Sequence, residues 1–149
     1  MIDIPEIARN LRKSNRKPGL YVLSPKNYKN KTIRRPFKIG MSTNLLKRLD
    51  SYHLCFPNGF YIYNVLVFKP KYKQWRGELK DVETELHEFL NEYQMKTTTR
   101  RKGEWFKLNI NDLKRKLDEF AHTHRNKIEK HINWWVEKKK IRPVNPVNN

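Results

Sequence analysis

The sequence predicts a single folded domain of the α+β class, in which strands and helices share one core. The chain has 149 residues, a length that suits one domain with a modest core. Hydrophobic residues make up 37% of it and aromatic residues 12%, which favours a folded core over a disordered basic chain. Short apolar runs typical of strands alternate with segments whose apolar residues recur at helical spacing.

The first 18 residues predict a short basic helix or arm, because apolar residues recur at helical spacing from Ile4 to Leu11. Residues 19–23 and 36–40 are short apolar runs that predict two paired strands. The loop between them is too long for a tight hairpin and too charged to be buried, so we expect it to face solvent or a ligand. Its five cations are Lys26, Lys29, Lys31, Arg34 and Arg35.

The middle of the chain predicts a helix, a strand and a second helix. Capping side chains at residues 42–44 precede a helical pattern that ends before Pro57. Residues 60–68 are rich in aromatic and β-branched side chains and predict the best-defined strand. Residues 78–93 place their apolar side chains along one stripe, as an amphipathic helix does.

The last third predicts a strand and a long helix. Residues 97–103 form a polar, basic loop that leads into a predicted strand at 104–108. Asn111 is the predicted cap of a basic helical extension over residues 111–140, which is either one long helix or two helices broken near His122 to Asn126. Residues 141–149 are polar and contain proline, so we expect a disordered tail.

Charge limits the possible functions. Lys and Arg number 33 against 15 Asp and Glu, and the formal net charge of +18 favours a polyanionic partner such as nucleic acid. No apolar run approaches the roughly 20 residues that a membrane-spanning helix needs, and residues 1–6 lack the features of a secretory signal. We therefore expect an intracellular protein of the cytoplasm or nucleus that is not secreted. Cys55 is the single cysteine, which excludes an intrachain disulfide framework and a multi-cysteine zinc finger.

The charge is unevenly distributed. Residues 1–48 hold 13 Lys or Arg against 2 Asp or Glu, a balance of +11, whereas residues 78–93 hold 6 acids and 1 Lys, a balance of −5. On a helical wheel, four acids of the second segment share a solvated outer face: Asp81, Glu85, Glu88 and Glu92. Glu83 lies instead at the margin of the apolar stripe, one turn before His87. It could be a metal ligand, the partner of a buried cation or a plain boundary residue.

Other residues carry weaker signals. Arg48 and Tyr52 are four positions apart and share a helix face, where packing with the charged end in solvent is the plainer alternative to a functional role. The scattered histidines give little support to a zinc site. Trp134, next to the basic run at residues 138–140, could stack on bases, whereas Trp135 fits the apolar stripe of the predicted helix.

The order of four short motifs resembles the GIY-YIG nuclease superfamily. These motifs are Gly19-Leu20-Tyr21, then Lys38-Ile39-Gly40, then the helical segment from Ser42 to Tyr52, then Glu83-Thr84-Glu85-Leu86-His87. The later Gly103-Glu104-Trp105-Phe106 is similar to the closing strand of the phage-type branch called T5orf172 or Mug113-like. The resemblance spans residues 19–108.

This resemblance implies a fold and a set of site residues. The implied fold is a small, mainly antiparallel sheet flanked by helices, with a nuclease core over residues 19–110 that carries one catalytic face. The matching positions are Tyr21 and Gly40 in the first two motifs, Arg48, Tyr52 and its neighbour His53 in the following helix, and Glu83 as the single metal-binding glutamate. Lys38 stands where the second motif usually has a tyrosine. This departure leaves open whether Tyr21, Lys38 or a metal-bound water acts as the general base.

The activity that the resemblance implies is metal-dependent cleavage of phosphodiester bonds in DNA, with one Mg²⁺ or Mn²⁺ on Glu83. Arg48 would stabilise the charge that builds on the phosphoryl oxygens. We expect double-stranded or branched DNA as the substrate, ahead of RNA, and a nuclease of this size would suit a virus or a mobile element. The alternative is a non-catalytic nucleic-acid-binding module on the same fold.

Basic and aromatic residues outside the implied site are expected to hold the DNA backbone without reading its sequence. They are Lys26, Lys29, Lys31, Arg34, Arg35, Lys47, Arg100, Arg101, Lys102, Trp134, Lys138, Lys139 and Lys140.

Overall fold

A computed structural model describes residues 17–25, 34–51, 60–71, 73–95, 104–133 and 143–144. The strands in these ranges are β1 (Gly19–Pro25), β2 (Arg35–Ser42), β3 (Phe60–Phe68), β4 (Trp105–Leu108), β5 (Ile128–Asn133) and β6 (Pro143–Val144). The helices are α1 (Leu45–Ser51), α2 (Trp75–Phe89), α3 (Ile110–Thr123) and a short 3₁₀ turn over Asn91–Tyr93. All the strand pairs are antiparallel. The prediction of an α+β fold with an antiparallel sheet flanked by helices is confirmed.

The strand order in the sheet is β4-β2-β1-β3-β5, and the short β6 pairs with the beginning of β3. Strand β1 therefore lies between β2 and β3. In the register of β1 with β2, Tyr21 is opposite Gly40 and Leu23 is opposite Lys38. In the register of β2 with β4, Lys38 is opposite Trp105. The strands that carry the first two motifs are neighbours at the centre of the sheet.

Both faces of the sheet are buried. Leu20 and Val22 of β1 belong to a large apolar cluster that includes residues of α2 and α3. Tyr21 and Leu23 alternate with them, so they point to the opposite face, and they too are buried. Helix α1, whose Leu45 is buried outside the large cluster, contacts β1 and β2. Among the described residues, no helix is long and apolar enough to cross a membrane.

Asparagine side chains cap two helices. At α1 the backbone N–H of Lys47 donates to Asn44 Oδ1 at 3.2 Å, so the capping predicted there is confirmed. At α3 the N–H of Asp112 donates to Asn109 Oδ1 at 2.8 Å. The predicted cap, Asn111, lies inside the helix, and the sequence did not separate the two because both positions carry the same capping residue.

The predicted helical extension over residues 111–140 is confirmed as far as Thr123, where α3 ends, and is wrong over residues 124–133. A turn follows and leads into β5, which pairs with β3. Ile128 and Ile132 are four positions apart, a spacing that one face of a helix and one face of a strand share, so periodicity did not distinguish them. Residues 128–133 form a strand because the backbone N–H and C=O groups along the free edge of β3 need hydrogen-bond partners, and β5 supplies them.

The end of the chain is also partly ordered. Residues Pro143–Val144 form β6 and pair with Phe60 and Tyr61, so the prediction of disorder over 141–149 is wrong at this point. Other predicted features lie outside the described residues: the helical pattern from Ile4 to Leu11, residues 26–33 of the basic loop, the predicted helix from Tyr52 to Pro57, the loop over 97–103, and Trp134 and Trp135 with the basic run that follows.

Arg35 is predicted in the exposed basic loop, but the structure buries it in β2 with 2% of its surface exposed. Its Nη1 donates to Tyr63 Oη at 2.8 Å, and the Tyr63 ring meets Phe37 edge-on, with 5.0 Å between ring centres. Arg35 is therefore part of the core, and its predicted contact with DNA is wrong because β2 begins at this residue. The neighbouring Arg34 is exposed.

Arg35→Ala is expected to lower the free energy of unfolding by about 2–4 kcal/mol, because it empties buried volume and removes the buried hydrogen bond from Arg35 to Tyr63 Oη. Urea denaturation followed by circular dichroism measures this change. Arg34→Ala is the matched control, since an exposed side chain should alter stability by less than about 0.5 kcal/mol. Equal losses in the two variants would contradict a structural role for Arg35.

Candidate functional site

Tyr21 and Gly40 face each other across β1 and β2, and the absence of a side chain at Gly40 makes room for the tyrosine ring. A Cβ atom at Gly40 would lie 2.4 Å from Tyr21 Oη and 2.7 Å from Tyr21 Cζ, which is closer than Cβ atoms approach other heavy atoms. The phenol therefore lies directly over the Gly40 backbone. The first two motifs meet in space, and glycine is required at position 40 for that contact.

Lys38 lies two residues before Gly40 and on the same face of β2. Its Nζ donates to Glu104 Oε2 at 2.7 Å and lies 5.8 Å from the centre of the Trp105 ring. The backbone fixes Glu104 as well, because its carbonyl accepts the N–H of Ile39 at 2.9 Å. Lys38 is therefore held by a carboxylate whose position is defined by the sheet.

His87 joins α2 to the same segment of β2. The β2–β4 register ends at Lys38 and Trp105, and the next carbonyl, that of Ile39, lies 2.9 Å from His87 Nε2. A carbonyl oxygen only accepts, so Nε2 is the nitrogen that carries the proton. His87 thus fixes helix α2, which carries Glu83, against the second motif.

Glu83 is the buried carboxylate of α2, with 2% of its surface exposed. Lys80 Nζ donates to its Oε1 at 2.8 Å. Its Oε2 is buried and has no hydrogen-bond partner in the described part of the chain. The hydrogen bond and the charge of Glu83 raise the pKa of Lys80, and the charge of Glu104 adds a smaller effect in the same direction. Of the three roles that the sequence left open, a plain boundary residue does not fit.

A polar cleft of about 290 Å³ opens beside Glu83. It is lined by α2, the 3₁₀ turn, the residue after that turn and the residue before β4. The lining residues are Lys80, Glu83, Thr84, His87, Glu88, Asn91, Gln94 and Glu104. Glu83 and Glu104 therefore share one cleft, and the ion pair of Glu104 connects that cleft to Lys38. The lining holds three carboxylates and one ammonium, so its charge balance attracts a cation.

The oxygens at Glu83 fit Mg²⁺ or Mn²⁺ better than zinc. Within the described ranges there is no group of three or more His, Cys, Asp or Glu side chains that could hold a metal ion, whereas zinc normally has three or four such ligands. Mg²⁺ needs fewer protein ligands, because it keeps several waters and takes others from a substrate phosphate. The buried Oε2 of Glu83 is a carboxylate oxygen without a hydrogen-bond donor, beside an open cleft.

The other predicted residues are separate from the cleft or lie outside the described ranges. Arg48 is exposed on α1 and does not line the cleft. Arg34 and Lys47 are exposed, so a ligand could reach them. Outside the described ranges lie Lys26, Lys29, Lys31, Tyr52, His53, Arg100, Arg101, Lys102, Trp134, Lys138, Lys139 and Lys140.

Lys80 and Glu104 belong to this site although no sequence pattern gave them a role. A signal for Lys80 was present, because residues three positions apart on a helix are neighbours and Glu83 is three positions later. Glu104 is part of a recognised motif, but its contact with Lys38, 66 positions away, depends on the pairing of β2 with β4. That pairing is a property of the fold.

Residues 19–136 match the family model of the T5orf172 domain. The match is longer than the motif resemblance over residues 19–108, and it includes α3 and β5. No curated protein and no solved structure matches the chain.

Proposed function

Because the chain belongs to the T5orf172 domain family, which is associated with nuclease-like function, we propose that it is a metal-dependent DNA endonuclease. The observation that carries the proposal is the buried Glu83, whose Oε2 has no hydrogen-bond partner in the described residues and whose side chain lines a polar cleft. A buried carboxylate oxygen without a partner costs free energy, and a bound cation would offset that cost. The net charge of +18 supports DNA as the substrate.

In this proposal Glu83 would hold one Mg²⁺ or Mn²⁺, for which the unpartnered Oε2 is an available carboxylate oxygen. When bound, the ion supplies positive charge that stabilises the leaving oxygen of the phosphodiester. The bond from His87 to the Ile39 carbonyl keeps α2 in place, so the carboxylate has a fixed position relative to the second motif. Fixed position matters, because a misplacement of about 1 Å in an active site can cost a factor of about 100 in rate.

Tyr21 and Lys38 act on the attacking water and on the phosphate from one face of the sheet. The Tyr21 hydroxyl is fixed over Gly40, and from there it orients the water. Lys38 donates to Glu104, so it is positioned as a hydrogen-bond donor and is suited to donate to a phosphate oxygen as well. Of the two side chains, Tyr21 is therefore the better candidate for the general base.

Cations outside the cleft contact the substrate from α1 and from the residue before β2. The exposed position of Arg48 allows its guanidinium to stabilise the negative charge that builds on the phosphoryl oxygens. Arg34 and Lys47, also exposed, contact the DNA backbone and give salt-dependent affinity. Such contacts position the duplex without reading its sequence.

A non-catalytic nucleic-acid-binding module is the second candidate. Two observations favour it: Lys38 replaces the tyrosine of the second motif, and Lys80 already neutralises the carboxylate of Glu83. Both candidates predict DNA binding, so only cleavage separates them.

Incubation with supercoiled plasmid DNA tests the proposal. We expect nicking in Mg²⁺ or Mn²⁺, loss of nicking in excess EDTA, and recovery when the metal is restored. Gel-shift titrations under the same conditions report binding. Wild-type protein that binds DNA and nicks it in neither metal would overturn the endonuclease and support the binding module. Tighter binding to RNA than to DNA at matched salt would overturn DNA as the substrate.

A further inference from the structure

Lys80 reaches from an exposed position on α2 to a carboxylate that is almost completely buried. Its side chain is 61% exposed and that of Glu83 is 3% exposed, and their Nζ and Oε1 atoms are 2.8 Å apart. Ion pairs three positions apart on a helix are common, but their partners are usually both in solvent and contribute little. Here the buried partner needs a counter-charge, and Lys80 supplies it.

The Lys80 ammonium donates a hydrogen bond to only one of the two carboxylate oxygens of Glu83. Glu83 Oε2 keeps no hydrogen-bond partner among the described residues, although Lys80 has three donors. The charge of Glu104, which also lines the cleft, acts on Lys80 as well. The ammonium is therefore a monovalent cation among carboxylates, in a cleft with room for a larger, hydrated ion.

We propose that Lys80 is a placeholder cation, whose ammonium neutralises Glu83 in the metal-free protein and competes with the divalent cation for that carboxylate. This inference rests on the proposed function in one respect, the assignment of the metal to Glu83. In the metal-free protein the pair prevents the cost of a buried charge without a counter-ion. When the metal is bound, Lys80 is a like charge beside it, and its exposed stem allows the ammonium to swing into solvent.

Binding of Mn²⁺ alone to the full chain tests the competition, with free Mn²⁺ measured by electron paramagnetic resonance. Lys80→Met keeps the length and helix propensity of the side chain and removes its charge, and we expect it to lower the Kd for Mn²⁺ by about three- to fivefold. Lys107→Met removes the same charge from an exposed position on β4 and should leave the Kd unchanged. Glu83→Gln should abolish the tight site.

Thermal unfolding provides a second readout that does not depend on activity. Metal-free Lys80→Met should melt about 3–5 °C below the wild type, because the buried carboxylate has lost its counter-charge. Saturating Mn²⁺ should remove most of that difference, since a ligand that binds the folded state stabilises it. Lys80→Gln serves in the same way if the methionine variant folds poorly.

An unchanged or higher Kd in Lys80→Met would overturn the placeholder role, and so would Mn²⁺ binding that survives Glu83→Gln. Mn²⁺ binding by Glu83→Gln would also contradict the assignment of the metal to Glu83 in the proposed function. The two proposals otherwise fail separately. If the wild type never nicks plasmid but the Mn²⁺ affinities are as expected, the endonuclease proposal is overturned and the placeholder role of Lys80 is supported. Normal metal-dependent nicking together with an unchanged Kd for Mn²⁺ in Lys80→Met would support the endonuclease and overturn the placeholder role.

Discussion

Glu83→Gln is expected to lower the rate of plasmid nicking by about 10²–10³-fold, with little change in affinity for DNA. The substitution keeps the shape of the side chain, and its amide oxygen can still accept from Lys80, so the fold should survive. It removes the negative charge that holds the cation in the proposed site, and with it the charge stabilisation of the leaving oxygen. Nicking of supercoiled plasmid and gel-shift titration measure the two quantities.

Asp81→Asn is the matched control for this variant. Asp81 is an exposed acid on the same helix, two residues earlier, and does not line the cleft. It should retain wild-type nicking, which shows that the loss in Glu83→Gln is not a general effect of charge on α2. If Glu83→Gln nicks as fast as Asp81→Asn, Glu83 does not hold the metal.

Local patterns predicted much of the site. The helical wheel separated Glu83 from the four outer acids, and the structure shows the reason, because Glu83 alone of these is buried. The motif resemblance matched Tyr21 and Gly40 to two motifs that are expected on one catalytic face. Their contact follows from strand alternation and a register in which they are opposite each other.

Long-range pairing accounts for what the sequence could not predict. Glu104 meets Lys38 only because β4 pairs with the outer edge of β2, and strand pairing over that separation has no local signature. The same reason explains β5, since Ile128 and Ile132 fit both periodicities and the edge of β3 decides between them. Arg35 is similar, because its charge predicted a solvated loop, whereas a buried tyrosine hydroxyl accepts its hydrogen bond.

The acidic segment at residues 78–93 raises a question for any protein that binds DNA, since carboxylates repel phosphate. The structure reduces this conflict inside the cleft. Glu83 is paired with Lys80, and Glu104, which follows that segment, is paired with Lys38. A phosphate that approaches Glu83 or Glu104 therefore meets a carboxylate that is already paired with an ammonium, and the proposed divalent cation would add positive charge at the same place.

Gly40→Ala is expected to disrupt the contact between the first two motifs and to lower both stability and activity. The new Cβ would lie 2.4 Å from Tyr21 Oη and 2.7 Å from Cζ, so the ring must move away from the backbone of β2. Overpacking of this kind costs about 1–3 kcal/mol. A shift of the hydroxyl by about 1 Å should lower nicking about 100-fold, more than the loss of stability accounts for at a temperature where the variant is folded. Urea denaturation and plasmid nicking measure the two effects.

Gly77→Ala is the same substitution at a position where we expect neither stability nor activity to fall. Gly77 lies in α2, and a Cβ there would meet nothing within 4 Å. Alanine should stabilise the helix by up to about 1 kcal/mol and leave nicking unchanged. The double variant Gly40→Ala with Tyr21→Phe also removes the hydroxyl. It should recover little of the lost stability, because the new Cβ still lies too close to Cζ of the ring. Wild-type nicking by Gly40→Ala would mean that the position of the Tyr21 ring is not used in cleavage.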